Sequence, residues 1–233
     1  INMTKYKDII GTDIQVVTTD PTEVIGQVWY NESEGELKTR NQFVGNAWSS
    51  GGNLNTARDN MRGAGTQTAA IGFGGGGPNA QTEQYNGSSW TEVNDLNTGR
   101  GFSGRAGTEY TAALCIGGSV TNNELWDGSS WTEVGDLNTA KRDCASGGTT
   151  TAAIAAGGGP PTTTTTELWD GSSWTETTDM NTGRNEMAGS AAVNTAAIAF
   201  GGTLPPGRLG NTEVWNGSAW YEVNDLNTAR RQF

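Results

Sequence analysis

The stretch Leu-Trp-Asp-Gly-Ser-Ser-Trp at residues 168–174 decides the fold, because the chain contains it five times in closely related form. The other copies lie at residues 42–48, 84–90, 125–131 and 214–220. The tryptophans that close successive copies are separated by 42, 41, 43 and 46 residues. A period of this size predicts a repeat architecture in which each copy belongs to one supersecondary unit.

Each repeat predicts four short strands, named a to d in chain order. Strand a is rich in Gly, Ala and Ser, and strand b, typified by Ala-Ala-Ile-Ala-Ala at 152–156, is apolar on both faces. Strands c (166–169) and d (173–176) alternate apolar and polar residues, and the Asp170-Gly171 pair between them is a strong hairpin signal. The apolar spacing of two residues excludes a helical interpretation.

A second motif links the repeats. Six residues after each closing Trp comes Leu-Asn-Thr, or Met-Asn-Thr once, followed two places later by a basic residue. The five basic residues are Arg58, Arg100, Lys141, Arg184 and Arg230. Four of them precede a small apolar strand that ends in a glycine pair, within residues 68–75, 111–118, 151–158 and 195–202.

The arginine, the glycine pair, the strand-c aromatic and the strand-d Trp together resemble the kelch repeat over residues 42–233. This chain differs in placing an Asn-Gly or Asp-Gly turn directly after the aromatic. The resemblance implies an all-β fold, a β-propeller of four-stranded blades, in which the repeated side chains are structural. These are the five basic residues, which would bind carbonyls or carboxylates, and the closing tryptophans Trp48, Trp90, Trp131, Trp174 and Trp220.

We predict one domain, 1–233, with five blades. Four blades span residues 54–95, 96–136, 137–179 and 180–225, and the fifth combines 1–53 with 226–233. In this fifth blade, residues 226–233 supply strand a, and 27–31, 37–44 and 46–50 supply the others. Joining both ends within one blade removes exposed sheet edges. A fragment of a longer propeller, or closure with another chain, is the alternative.

The composition argues against nucleic-acid binding, membrane insertion, catalysis and metal binding. The 14 basic and 25 acidic residues give a net charge of −11, which disfavours nucleic-acid binding, and no apolar run approaches membrane-spanning length. The absence of His removes the commonest general base and metal ligand. Carboxylate pairs such as Glu133 and Asp136 recur in nearly every repeat, which favours a structural role. We therefore expect no enzyme activity, cofactor or metal, and two buried free thiols, Cys115 and Cys144.

Two groups of residues could bind a ligand. The strand-c aromatics could stack on sugar rings or pack between blades. The loops that differ between repeats, at 76–81, 119–123, 159–166 and 203–211, escape the demands of the repeat and are the better candidates. The individual residues are Tyr85, Trp126, Trp169 and Trp215 among the aromatics, and Pro160, Pro161, Thr162, Leu204 and Pro205 in the loops.

The N-terminal segments 14–17, 20–21, 26–31 and 35–38 look like a module at the start of bacteriophage tail and other virion proteins. That resemblance implies a virion or extracellular component, made in the host cytoplasm without a signal peptide. Its partners would be other virion proteins or a host-surface glycan, with homo-oligomerisation possible and no membrane insertion. The alternatives are a lectin-like adhesin that binds glycans multivalently and a cytoplasmic kelch interaction scaffold.

Overall fold

The computed structural model describes residues 15–19, 28–39, 50–159 and 161–232. The chain divides into two compact units, Ile1–Ser50 and Gly51–Phe233. Every regular element within the described ranges is a β-strand, which confirms the predicted all-β class. The same ranges contain no helix of the length and apolarity needed to cross a membrane.

The first unit contains a three-stranded sheet of β1 (Gln15–Val17), β2 (Val28–Asn31) and β3 (Glu36–Thr39). Strands β2 and β3 form an antiparallel hairpin, whose turn is stabilised because the Asn31 side chain accepts the N–H groups of Ser33 and Glu34. Strand β1 pairs with β2 in parallel. The prediction placed strands at 27–31 and 37–44 but did not include this parallel strand.

The second unit contains four four-stranded antiparallel sheets, one for each complete repeat. Sheet I consists of β4 (Arg62–Thr66), β5 (Ala69–Phe73), β6 (Thr82–Tyr85) and β7 (Trp90–Glu92). Sheet II consists of β8 (Gly104–Glu109), β9 (Ala112–Ile116), β10 (Asn123–Trp126) and β11 (Trp131–Val134). Sheet III consists of β12 (Ala145–Thr149), β13 (Ala152–Ala156), β14 (Thr166–Trp169) and β15 (Trp174–Thr177).

Sheet IV consists of β16 (Ala188–Val193), β17 (Ala196–Phe200), β20 (Thr212–Trp215) and β21 (Trp220–Val223). Its b–c loop carries a small extra hairpin of β18 (Thr203–Leu204) and β19 (Gly207–Arg208). In all four sheets the strands follow chain order, a to d, as the repeat predicts.

The a strands of consecutive sheets lie side by side, so only small side chains fit between them. A Cβ added to Gly147 of β12 would lie 2.5 Å from the backbone nitrogen of Ala191 in β16. A Cβ added to Gly189 would lie 2.5 Å from the Cβ of Ala145. This close approach explains why strand a is rich in Gly, Ala and Ser.

Three hydrophobic cores lie between consecutive sheets. Between sheets I and II, Ile71 and Phe73 of strand b pack against Trp126 and Trp131 of the next sheet, and the rings of Phe73 and Trp131 lie 4.9 Å apart. Each sheet therefore has a trailing face, which presents aliphatic side chains to the following sheet. Its leading face presents the Trp pair to the preceding sheet.

The c–d hairpins have longer loops than the two-residue Asp-Gly turn suggested. Trp169 pairs directly with Trp174, so residues 170–173 form a four-residue loop. The Asp170 carboxylate accepts the N–H groups of Ser172 and Ser173, each at 2.8 Å. These hydrogen bonds satisfy the donors of a wider turn, in which only Gly171 has a positive φ.

The predicted strand a of the fifth blade is absent from residues 226–232, the described part of that segment. In sheets I to IV strand a begins four residues after the repeated cation, as with Arg62 after Arg58. A strand four residues after Arg230 would begin past Phe233. The predicted residues 40–49, including Trp48, lie outside the described ranges. Five blades and a single 1–233 domain stay predictions.

Candidate functional site

In sheets I to IV the repeated cation lies buried against a glutamate of strand c. The nitrogen–oxygen distances are 2.6 Å for Arg58–Glu83, 2.5 Å for Arg184–Glu213 and 3.7 Å for Lys141–Glu167, and Arg100 pairs with Glu124 in the same way. All eight side chains are at most 2% exposed. Because each buried charge is paired, the arrangement avoids the large cost of an isolated ion.

The Asn of the Leu-Asn-Thr motif completes this cluster, which we call the clasp. The backbone N–H and the side-chain amide of Asn138 both donate to one carboxylate oxygen of Glu167, at 2.7 and 3.0 Å, and the amide also donates to the carbonyl of Trp174. Asn138 belongs to the linker that leaves sheet II, whereas both partners belong to sheet III. The clasp therefore ties consecutive sheets together, and the same bonds recur at Asn55, Asn97 and Asn181.

These hydrogen bonds lower the pKa of the clasp carboxylate in sheet I. Desolvation raises the pKa of Glu83, but hydrogen bonds from Asn55 and Arg58, together with the Arg58 charge, outweigh it and lower the pKa below its ordinary value. The sequence motifs did not predict a role for these glutamates. The available signal was a Glu directly after Thr or Asn at the start of every strand c, in Glu83, Glu124, Glu167 and Glu213.

The glycine pairs anchor the start of each b–c loop. The N–H of Gly118 donates to the carbonyl of Lys141 in the next repeat at 2.8 Å. Gly117 and Gly118 have φ values of 59° and 103°, which residues other than glycine rarely adopt. The same bond forms at Gly75, Gly158 and Gly202. The first residues of each b–c loop are therefore held by a hydrogen bond to the next repeat.

Arg230, the last repeated cation, differs from the other four. It is exposed, and its guanidinium donates only to the carbonyl of Thr228 among the described residues. Its backbone nonetheless follows the repeat, because the Arg230 carbonyl accepts the N–H of Gly202 at 2.8 Å. The local geometry of a further repeat is thus present without the glutamate that would complete its clasp.

The aromatic residues are mostly buried. The closing Trp131, Trp174 and Trp220 are 5 to 6% exposed, and Trp90 is half-buried. In strand c, Tyr85 is half-buried and its ring lies 5.1 Å from that of Trp90. The remaining strand-c aromatics, Trp126, Trp169 and Trp215, are 1 to 2% exposed. This burial argues against the sugar-stacking role considered for those three, because their faces are covered by neighbouring sheets.

The loop candidates lie at the other end of strand c from these aromatics. Pro161 and Pro205 are exposed, Leu204 is 43% exposed and Thr162 is half-buried. Pro160 lies outside the described ranges. The structure thus divides the predicted ligand-binding residues into two groups rather than one site. The exposed residues among them, Pro161, Leu204 and Pro205, all belong to the loop group.

A cleft of about 470 Å³ is lined by residues on both faces of sheet I and by Arg105 and Gly107 of sheet II. Its lining on the leading face of sheet I is formed by Met61, Ala70, Gly72 and Trp90. In sheet IV the corresponding positions hold Met187, Ala197, Ala199 and Trp220, which pack against sheet III. This part of the cleft therefore occupies the position that a preceding sheet fills elsewhere in the unit.

The trailing face of sheet IV has the complementary feature. Ile198 is half-buried, whereas its counterparts Ile71, Leu114 and Ile154 are at most 1% exposed. Leu226 is likewise half-buried, and its counterparts Leu96, Leu137 and Met180 are 3% exposed. Sheet IV therefore presents aliphatic side chains of the kind that cover the Trp pairs of sheets II to IV.

Chemically reactive groups are few in the described part of the chain. Cys115 and Cys144 are free and buried, as predicted. Burial raises the pKa of the Cys115 thiol to about 11 and also raises that of Cys144, so both stay protonated. Within the described ranges, no three acidic or cysteine side chains are grouped as metal ligands would be.

A scan of protein-family models and a search of curated proteins give no match to this chain. The kelch and bacteriophage resemblances therefore stay predictions.

Proposed function

We propose that this chain is a non-enzymatic virion-associated protein of a bacteriophage, a kelch-like β-propeller whose b–c loops contact a partner. One observation carries the proposal. Most of the repeated side chains form the clasps and the inter-sheet cores, whereas the exposed Leu204 and Pro205 belong to a loop whose sequence differs from those of the equivalent loops. Residues that the scaffold does not need are the ones available for binding.

We further propose that residues 1–53 and 226–233 close a ring of five blades between sheets IV and I. The copy of the hairpin at 42–48 supports this, because it carries a closing Trp at the repeat spacing. The half-buried Trp90 and Ile198 support it too, since a sheet inserted between them would cover both.

The partner surface is protein or glycan, and the loop chemistry favours protein. The tip of sheet IV combines an exposed Leu with two exposed prolines and Arg208. Aliphatic and proline side chains add apolar contact area to a protein interface, whereas sugars are usually held by exposed aromatic faces. We therefore place another virion protein first and a host-surface glycan second.

Loop exchange tests the proposal. Residues 203–211 would be replaced by 119–122 of sheet II, which connect the same two strands. We expect an unchanged melting temperature and lost binding to purified virions, because the loop lies outside every clasp and core. Binding to a glycan array instead of virions would favour the adhesin function.

A single substitution in the same loop tests the proposal with a smaller change and a matched control. Leu204→Ser should weaken partner binding, while Tyr110→Ser, at an a–b turn with 36% exposure, should not. Equal binding by both variants would contradict the proposed loop surface.

A further inference from the structure

Two arginines on the a strands depart from the repeat pattern. Arg62 of β4 corresponds by register to Gly104, Ala145 and Ala188 in the other sheets. Arg105 of β8 corresponds to Gly63, Ser146 and Gly189. Sheet I therefore carries an arginine at one of these two positions and sheet II at the other, whereas all equivalent residues are Gly, Ala or Ser.

Both arginines lie on the sides of these strands that face the gap between sheets I and II. Arg62 pairs with Phe73 and Arg105 pairs with Cys115, and both partners belong to the core between these sheets. Residues paired directly across strands share a face of the sheet. The Arg62 Nε donates to the carbonyl of Ser103 at 2.6 Å, which fixes its guanidinium against sheet II. Both arginines line the 470 Å³ cleft.

The two charges are only partly compensated. The nearest carboxylate oxygen to Arg62 is that of Asp143, at 4.0 Å from Nη2. The Arg105 guanidinium forms no ion pair or hydrogen bond with any residue in the described ranges. Desolvation and the charge of Arg62 lower the pKa of Arg105, as expected for two like charges that face each other.

We propose that Arg62 and Arg105 form an anion-binding site for a carboxylate, sulfate or phosphate group. The site lies between the a strands β4 and β8, in the gap between sheets I and II. Planar guanidinium groups match the oxygens of such anions, and two of them on facing strands hold one group from both sides. The two guanidinium groups lie between sheets I and II, away from the b–c loops and from the face of sheet I that a fifth blade would cover, so the site goes beyond the proposed function.

Thermal unfolding in sulfate tests the site. We expect sodium sulfate to raise the melting temperature of the full chain saturably, compared with sodium chloride at the same ionic strength. Arg105→Ser, which installs the sheet III residue, should weaken this effect by about 10- to 100-fold in sulfate concentration, because one charged hydrogen-bond donor is lost. Arg62→Ala, the other sheet III residue, should act similarly.

Arg231→Ser is the matched control. Arg231 is exposed and pairs with Glu186, so its substitution removes the same charge outside the cleft. It should respond to sulfate like the unmodified chain. An equal response of all variants would overturn the proposal, because it would show a general effect of sulfate on burial rather than a site.

Stability in dilute chloride separates binding from a structural role. There Arg105→Ser should melt at the same or a higher temperature, because the substitution removes like-charge repulsion. A clear decrease, together with no sulfate effect on the unmodified chain, would overturn the proposal. Parallel titrations with phosphate, glucuronate and a sulfated oligosaccharide identify the source of the group. Tighter binding of the oligosaccharide than of free sulfate would assign the site to an acidic glycan, and equal binding would assign it to small anions.

Discussion

The three internal interfaces and the two end faces of the second unit are built from the same side chains but differ in burial. Trp131, Trp174 and Trp220 are 5 to 6% exposed because a preceding sheet covers them, whereas Trp90 in sheet I is half-buried. Ile154 of sheet III is 1% exposed, whereas Ile198 of sheet IV is half-buried. Each repeat therefore supplies two half-interfaces, and the three hydrophobic cores of the described residues each lie where two repeats meet.

This difference indicates where stability resides. In a repeat protein, the free energy of folding is approximately the sum of the repeats' own stabilities and the interfaces between neighbours. The clasps add to the interface contribution, because each one joins a linker from one sheet to strands c and d of the next. Substitutions at internal clasps and cores should therefore have the largest effects.

The largest effect is expected at a clasp. Glu167→Gln should lower the free energy of unfolding by about 3–5 kcal/mol, because it leaves the buried Lys141 ammonium without its counter-charge. Urea unfolding measures this. Glu176, directly opposite on β15 and exposed, is the matched control, and Glu176→Gln should change stability by less than about 0.5 kcal/mol. Equal losses would show that the clasp charge is not what stabilises the sheet.

Isoleucine truncation compares a core directly with an end face. Ile154→Ala should cost about 2–4 kcal/mol, because it opens a cavity in the core between sheets III and IV. In the closed ring that we propose, Ile198→Ala costs a similar amount in the full chain. Chemical denaturation of the two variants side by side is the measurement. A cost below about 1 kcal/mol for Ile198→Ala would show that sheet IV ends in an open face.

A smaller effect is expected at the base of a b–c loop. Gly118→Ala should cost about 1–2 kcal/mol, because alanine disfavours the observed φ of 103° and its Cβ would lie 3.0 Å from the carbonyl oxygen of Gly101. Gly207→Ala, at the exposed hairpin tip with no atom within 4 Å of the new Cβ, should be nearly neutral. Thermal unfolding of both variants distinguishes loop base from loop tip, and equal shifts would contradict the distinction.

The smallest effect concerns pH and separates the inner sheets from the outer ones. In sheets II and III the c–d turns carry Asp127 and Asp170, whereas sheets I and IV have Asn86 and Asn216. Hydrogen bonds from the backbone and hydroxyl groups of the following serines lower the pKa of both aspartates to about 2. Because this lies below the ordinary value of 3.8, the carboxylates stabilise the fold above about pH 4, and that contribution is lost as pH falls toward 2.

The double variant Asp127→Asn, Asp170→Asn should therefore lose less stability between pH 4 and 2 than the unmodified chain. Melting temperatures across this range provide the measurement. Asp136→Asn is the control, since no hydrogen bond within the described ranges involves the Asp136 carboxylate. A parallel pH profile for the double variant would contradict the assignment.

Much of the second unit could be predicted from sequence because its signals are local. Strands β13 and β14 match the predicted 152–156 and 166–169 residue for residue. Alternation of side chains and a Gly in a tight turn are properties of a few consecutive residues. The strand predicted at 226–233 was wrong for an equally local reason. Strand a begins four residues after the repeated cation in sheets I to IV, and a strand within 226–232 does not fit that spacing from Arg230.

The candidate sites could be predicted less well, because burial and pairing depend on residues far apart in sequence. Trp126 and Trp131 carry the same sequence signal as the half-buried Tyr85 and Trp90, yet only the latter pair lacks a covering sheet among the described parts of its unit. The convergence of Arg62 and Arg105 was likewise hidden, since they lie on different repeats. Register and sheet order were needed to place them in one gap.

The sequence by itself determined the repeat unit, its four strands, its turn chemistry and the position of the structural cation in sheets I to IV. Each of these rests on contacts within a hairpin or on a fixed offset along the chain. Only the tertiary structure decided which glutamate pairs with each cation, 24 to 29 residues later, and which tryptophans are buried. The physical reason is that desolvation and charge pairing are set by neighbouring sheets, so identical repeats acquire different surroundings at the middle and at the ends of the array.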